Sequence, residues 1–234
     1  MSDDEKPPGS DAHTWLGPPS RLTRVSYAAV RALFQAIGTI FGRVRIEGRE
    51  HLPKEGAFIL APVHRSNVDF GLASLVTRRP MRFMGKDSIW KVNLLGRWVS
   101  MLGAFPVHRG AADRESLRVC TSVIDGGSPL VMFPEGQRRT GDVVADLFDG
   151  TAYVAAKTGV PIIPMGIGGS ERMMPKGAKF FHFTKLVLVI GEPIPVPPVG
   201  EKGRLPRSAV HDMTVRLQAD LQALFDDARA KSGR

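Results

Sequence analysis

The sequence predicts an α/β domain, a largely parallel central sheet flanked by helices, with an amphipathic helix ahead of it. Three observations carry this reading. Continuous apolar runs at residues 57–62, 130–133 and 161–166 read as strands buried on both faces. Segments with three-and-four apolar spacing lie between such runs, and that alternation builds layered α/β domains. Hydrophobic residues make up 43% of the 234 positions, ample for one core. The economical organisation is a flexible tail over 1–19 and an amphipathic helix over 20–43. A core domain follows over 44–190, then a proline-rich loop and a packing helix over 191–234.

Taken in order, the first nineteen residues open on Ser2-Asp3-Asp4-Glu5 and carry Pro7, Pro8, Pro18 and Pro19. They lack the basic start and apolar middle of a secretory signal. In residues 21–41, Leu22, Val25, Ala29, Leu33, Ala36, Ile37 and Ile40 recur at helical spacing. Arg31 and Gln35 in the middle argue against a spanning helix. Two readings stay open: a helix packed on the core, or an interfacial helix with its apolar face in lipid and its arginines at anionic head groups.

Residues 44–47 read as an edge strand, and 57–62 as a central one followed by a helix over 67–77. A short strand at 81–85, a helix over 89–101, a strand at 104–107 and a helix over 113–124 come next. After the strand at 130–133, a helix ending at Gly159 leads to two more strands, 161–166 and 185–190. The last helix, 209–230, has Val210, Met213, Leu217, Leu221, Leu224 and Ala228 on one face.

A net charge of +9 points to anionic partners, whether nucleic acid, an acidic membrane or phosphorylated substrates. Aromatic residues are only 7% and are not interleaved with a basic run, which disfavours nucleic acid. Cys120 is the only cysteine, so an internal disulfide and a multi-cysteine zinc site are excluded, and a reducing, cytoplasmic setting is expected. No paired metal spacing, phosphate-loop motif or Gly-x-Ser-x-Gly elbow is present. Gly166-Ile167-Gly168-Gly169 lacks the third glycine of a dinucleotide fingerprint.

Four stretches at strand ends carry chemistry. In His64-Arg65-Ser66-Asn67-Val68-Asp69, the histidine leaves a strand and a carboxylate follows five residues on. Five steps along a regular helix turn about 140°, so the pair meets only if His64 precedes the helix and Asp69 lies in its first turn. Asp69 would then orient one ring nitrogen and leave the other basic. Ser66 to Asp69 also matches a capping box, a role compatible with the first. The second stretch is Gly103-Ala104-Phe105-Pro106-Val107-His108-Arg109. In the third, Phe133-Pro134-Glu135-Gly136-Gln137-Arg138, Gly136 amides and the Arg138 fork suit an anion. The fourth, Val160-Pro161-Ile162-Ile163-Pro164, reads alone as a buried strand bounded by prolines.

Together the four blocks resemble the glycerophospholipid acyltransferase family, especially its bacterial members that acylate 1-acylglycerol-3-phosphate. His64 and Asp69 match that family's His-x4-Asp motif, and Arg109 ends a matching second block. Phe133 to Arg138 and Val160 to Pro164 match the third and fourth. The stretches Gly85-Lys86 through Trp90 and Leu95-Gly96 resemble the segment between the first two, and the likeness covers residues 44–190. Two departures stand out: Gln137 where the family carries threonine, and His108 where it carries an acidic residue.

The resemblance implies transfer of a fatty acyl group from a thioester carrier, acyl-coenzyme A or acyl carrier protein, to the free hydroxyl of lysophosphatidic acid. His64 and Asp69 would be the catalytic pair, and Lys86, Arg109, Glu135, Gly136 and Arg138 the phosphate side, with Glu135 orienting these groups or the acceptor or else anchoring the turn. No cofactor and no metal are implied, and Cys120 needs no catalytic role. The expected place is the cytoplasmic face of the cell membrane, held peripherally on an anionic surface. Glycerol-3-phosphate or another lysolipid as acceptor, and a lipid-binding protein without catalysis, are the competing readings.

Overall fold

The computed structural model describes residues 21–101, 103–107, 114–175, 177–198 and 205–233, with main chain only at 86, 95, 98, 101 and 107. The elements run α1 (Arg21–Gly42), β1 (Arg45–Glu47), β2 (Ile59–Pro62), α2 (Asp69–Ser74), β3 (Arg82–Lys86), α3 (Asn93–Met101), β4 (Ala104–Val107) and α4 (Arg114–Asp125). They continue with β5 (Leu130–Val131), α5 (Gly150–Thr158), β6 (Ile162–Gly168), α6 (Ser170–Met173), β7 (Val187–Ile190) and α7 (Arg207–Ser232).

These strands form one seven-stranded sheet in the order β1-β7-β6-β2-β5-β3-β4. Every pairing is parallel except β6 with β7. The expected α/β layering is therefore what the chain adopts, with β1 at one edge. β2 sits between β5 and β6, with Ile59 opposite Leu130 on one side and Ile162 on the other. All four of its residues and all seven of β6 are buried, which is why these runs are apolar without alternation.

Parallel strands send their carboxyl ends to one edge of a sheet. Because β2, β5, β3 and β4 are mutually parallel, the chain segments leaving them emerge on the same side. Helix α5 contacts both α4 and α7, and α5 and α7 lie on β6. A second group, α1, α2 and α3, is drawn together by α1.

Three local departures from the expected elements have physical causes. The helix expected over 89–101 is split into a 3-10 turn, Asp87–Lys91, and α3. The break buries Trp90, whose Nε1 donates to Ser100 Oγ at 2.8 Å. Gly85 and Gly96 leave room for its ring, since a Cβ there would stand 2.7 and 2.9 Å from Trp90 atoms. The helix expected over 67–77 shortens to α2. Its carbonyl end is taken over by arginines: Arg49 Nη2 donates to Leu75 O at 3.1 Å and Arg31 Nε to Thr77 O at 3.1 Å. Third, the glycines of Gly166-Ile167-Gly168 serve packing. A Cβ would meet Leu224 O at 2.2 Å from Gly166 and Ala228 O at 2.1 Å from Gly168, because the backbone of α7 lies directly on β6. Gly168→Ala is therefore expected to lower stability by about 1–3 kcal/mol or more, read as a fall in Tm. An unchanged Tm would show that α7 can move off the strand.

Helix α1 is long and apolar enough by length and composition to cross a membrane. One of its faces is nevertheless packed on the domain. Tyr27, Gly38 and Gly42 are buried, and Phe34 rests where a Cβ on Gly71 would stand 2.1 Å away. Arg31 belongs to this packed face, bonded to the carbonyls of Leu75 and Thr77, and so does not reach out to head groups. Leu22, Val25, Leu33 and Ile40 face outward.

Candidate active site

The site begins where β2 leaves the sheet. Val63 still donates its N–H to Met165 O at 3.1 Å, and His64 follows as the chain turns away. Asp69 is the first residue of α2, so the five-residue step is spent in the turn before the helix. Asp69 is fully buried, and its Oδ2 lies 3.0 Å from Nδ1 of His64. The same oxygen accepts the N–H groups of Arg65 and Ser66, each at 2.6 Å. One carboxylate thus holds both the imidazole and the turn that leads into α2, whose N-cap, Val68, has no side-chain cap. The reciprocal half of a capping box is absent, because the Ser66 hydroxyl donates to Met174 O at 2.8 Å.

The His64 ring stacks on Phe133, with centroids 4.1 Å apart and planes at 27°. Its side chain is 12% exposed. In a neutral ring the carboxylate at Nδ1 favours the tautomer with hydrogen there, and Nε2 makes no hydrogen bond among the described residues.

The segment after β5 supports His64 from beneath. Glu135 Oε1 accepts the His64 N–H at 3.1 Å, and Arg139 donates its own N–H to His64 O at 2.9 Å. Both main-chain groups of the histidine are therefore held by residues about seventy positions away. Arg65 closes the arrangement. Its Nη1 bonds both oxygens of Glu135 at 2.7 and 2.9 Å, its Nη2 bonds Val143 O at 3.1 Å, and its guanidinium lies 4.7 Å from the Phe225 ring centre. Both side chains of this pair are buried, at 1% and 0% exposure.

This geometry shows how two of the expected phosphate-side residues are engaged within the fold. Glu135, grouped with them from the sequence, is fully buried and spent on Arg65 and on the His64 and Ala145 N–H groups. It holds the His64 main chain and anchors the turn. The amide of Gly136 donates to Phe133 O at 3.0 Å, closing a turn with φ of 69°, so it is not turned toward an anion. Glycine is required there by that φ and by Phe148, whose ring would stand 2.8 Å from a Cβ.

Arg138 is exposed and makes no hydrogen bond or ion pair among the described residues. It lines an open cleft of about 500 Å³ together with Arg65, Gln137, Arg139, Thr140 and Val143. Gln137, the residue that departs from the family pattern, engages the neighbouring arginine. In the amide orientation that satisfies both groups, its oxygen accepts from Nη1 and Nη2 of Arg139 at 3.2 Å each. Arg138 is left as the uncommitted cation of the turn. Lys86 ends β3 and Arg109 follows β4, both strands leading to the edge that carries His64. The Lys86 side chain and the whole of Arg109 lie outside the described residues.

Sequence reasoning missed three contributors. Arg65 passed as a spacer inside the motif, Phe133 as the end of a strand, and Phe225 as an ordinary helix residue. The only signal was a charged residue, Arg65, directly between two buried runs. Cys120 is buried on α4 with its thiol pushed up to about 12 by desolvation. It is expected not to react with an aromatic disulfide reagent until the protein is denatured, and rapid native labelling would contradict that burial.

The sequence profile of the Acyltransferase family matches residues 43–168, more than half of the chain, and the chain belongs to that family. Among relatives, it is 29% identical over 159 residues to the 1-acyl-sn-glycerol-3-phosphate acyltransferase LPAT1, chloroplastic, of Arabidopsis thaliana. That match takes in 66% of this chain and 44% of the plant protein, so the chain spans less than half the length of that relative. The 1-acyl-sn-glycerol-3-phosphate acyltransferase of Bacillus subtilis is 26% identical over 161 residues, 68% of this chain and 78% of the relative. The crystal structure of the 1-acyl-sn-glycerophosphate acyltransferase PlsC from Thermotoga maritima superposes with a TM-score of 0.70 at 25% identity. The superposition covers 87% of this chain and 80% of that one.

Proposed function

We propose that this chain moves a fatty acyl group from a thioester carrier to the free hydroxyl of 1-acylglycerol-3-phosphate, giving phosphatidic acid. The observation that carries the reading is the His64 imidazole, with Nδ1 held by Asp69 and Nε2 uncommitted. Likeness to relatives that bear this activity in their names supports it.

In the proposed reaction, Nε2 takes the proton of the acceptor hydroxyl as its oxygen attacks the thioester carbonyl. Asp69 keeps the ring in the tautomer with hydrogen on Nδ1 and stabilises the imidazolium as it forms. The tetrahedral adduct expels the thiolate, which takes a proton as the histidine returns to neutrality. The hydroxyl attacks directly, so no acyl-enzyme forms, and the burial of Cys120 accords with this. The Glu135–Arg65 pair fixes the main chain beneath the base, a positioning that pays off because catalytic geometry must hold to within a fraction of an ångström.

Arg138 is the proposed phosphate ligand, and Lys86 and Arg109 are proposed with it from the family pattern. Arg138→Ala is expected to raise the acceptor's KM about tenfold to a hundredfold with kcat little changed, the loss of a charged hydrogen bond. An unchanged KM would remove Arg138 from the phosphate site. The donor is an acyl thioester; coenzyme A brings phosphates and acyl carrier protein brings acidic residues, and a chain of net charge +9 suits either.

The proposed place is peripheral, on an anionic membrane at the cytoplasmic face, and helix α1 supports the membrane contact. Its outward face runs Val25, Ala28, Ala29, Ala32, Leu33, Ala36, Thr39 and Ile40 without a charge, and exposed Arg21, Arg24 and Arg43 stand at the two ends. The deciding experiment supplies purified protein with palmitoyl-coenzyme A or palmitoyl-acyl carrier protein, and with lysophosphatidic acid or glycerol-3-phosphate, and follows free thiol. Release only with lysophosphatidic acid is expected. Silence in all four combinations would favour a lipid-binding protein without catalysis.

A further inference from the structure

We infer that residues 177–185 form a second membrane-contacting element, a basic aromatic loop that meets an anionic lipid surface beside α1. The segment reads Gly177-Ala178-Lys179-Phe180-Phe181-His182-Phe183-Thr184-Lys185. Phe180 and Phe183 are 80% and 76% exposed, extreme values for the largest apolar rings. Lys179 and Lys185 flank them and are exposed too. Paired solvent-facing rings between lysines match the chemistry of a bilayer interface, with rings among the acyl carbonyls and ammonium groups at lipid phosphates.

The loop is held in place at its base. His182 donates its N–H to Met173 O at 2.9 Å, and Thr184 donates to Phe41 O of α1 at the same distance. Phe41 packs against Phe181 and Phe183, at centroid distances of 5.8 and 4.9 Å. The exposed rings therefore continue directly from the end of α1, where Ile40 is exposed and Arg43 follows. At its other root, Met174 O accepts the Ser66 hydroxyl, two residues from His64. A bilayer that receives α1 and this loop together would thus be fixed in height relative to the histidine. Continuity with the uncharged face of α1 and the flanking lysines favour lipid over a protein partner. The inference rests on the interfacial reading of α1, and its test needs no turnover.

The test is sedimentation with vesicles of phosphatidylcholine alone or mixed with phosphatidylglycerol, without acyl donor. The full chain is expected to bind the anionic vesicles. Phe180→Ala with Phe183→Ala should weaken that binding roughly tenfold or more, and Lys179→Glu with Lys185→Glu at least about fivefold per lysine, the latter only on anionic vesicles. Turnover of detergent-dispersed acceptor by these variants should stay at the level of the unaltered chain. A dye on the single reactive thiol of His182→Cys should shift to the blue on vesicle addition, since Cys120 is buried. Unaltered vesicle binding by the phenylalanine variant overturns the inference. So does a loop that binds acyl carrier protein but shows no dye shift with vesicles. Loss of thiol release with vesicle binding intact would count against the proposed reaction alone.

Discussion

Replacing His64 by alanine is expected to reduce turnover by at least about 10²–10⁴, the range that general-base catalysis supplies, while the protein remains folded. The fold should survive because the main chain at this position stays held. Glu135 still accepts the N–H, Arg139 still donates to the carbonyl, and Asp69 keeps the N–H groups of Arg65 and Ser66. The measurement is thiol release under single-turnover conditions alongside thermal denaturation. Near-normal release would end the general-base assignment. Asp69→Asn is expected to fall on both counts, because an amide cannot hold the ring as a carboxylate does and is a weaker acceptor for the N–H groups of Arg65 and Ser66.

The second large effect is expected from Glu135→Ala, at a fully buried residue. Removing one member of a buried ion pair leaves the other charged and unpaired, which costs about 3–5 kcal/mol. Here Arg65 would lose both oxygens of its partner in a place with 1% exposure, and His64 would lose the acceptor for its N–H. The expected result is a large fall in the denaturant midpoint together with lost turnover. Instability alone could explain lost turnover, so the informative variant is the pair Arg65→Met with Glu135→Met. Two apolar side chains of similar volume should recover most of the stability. The His64 N–H would still lack its acceptor, so the rate should remain low. Recovery of both would show that Glu135 acts only through the fold.

The elements legible in the sequence were those whose neighbours do not alter their pattern. The central strands announced themselves because burial on both faces forbids polar residues, and the last helix because packing on one side enforces a stripe. The elements that shifted were decided by single side chains from elsewhere. Trp90 broke a helix in order to be buried, and Arg31 and Arg49 ended another by taking its carbonyls. The glycine pair before α6 could not be interpreted locally, because its role is to admit the backbone of α7, some sixty residues away.

The same division runs through the candidate site. By itself the sequence determined the parallel layering, the set of strand ends that share one edge, and the family pattern that singled out His64, Asp69 and Arg138. The layering follows from residue type and spacing, and the three site residues from the resemblance of the four blocks to the family. What only the tertiary structure decided is how the histidine is held. Glu135 read in sequence as an orienting or anchoring acid with no partner named, and folding made it the acceptor for His64 and the partner of Arg65, while the Gly136 amide closes a turn onto Phe133. The physical reason is burial: a carboxylate with no access to solvent must find its cations and donors within the protein, and which groups those are depends on the neighbours that folding brings to it.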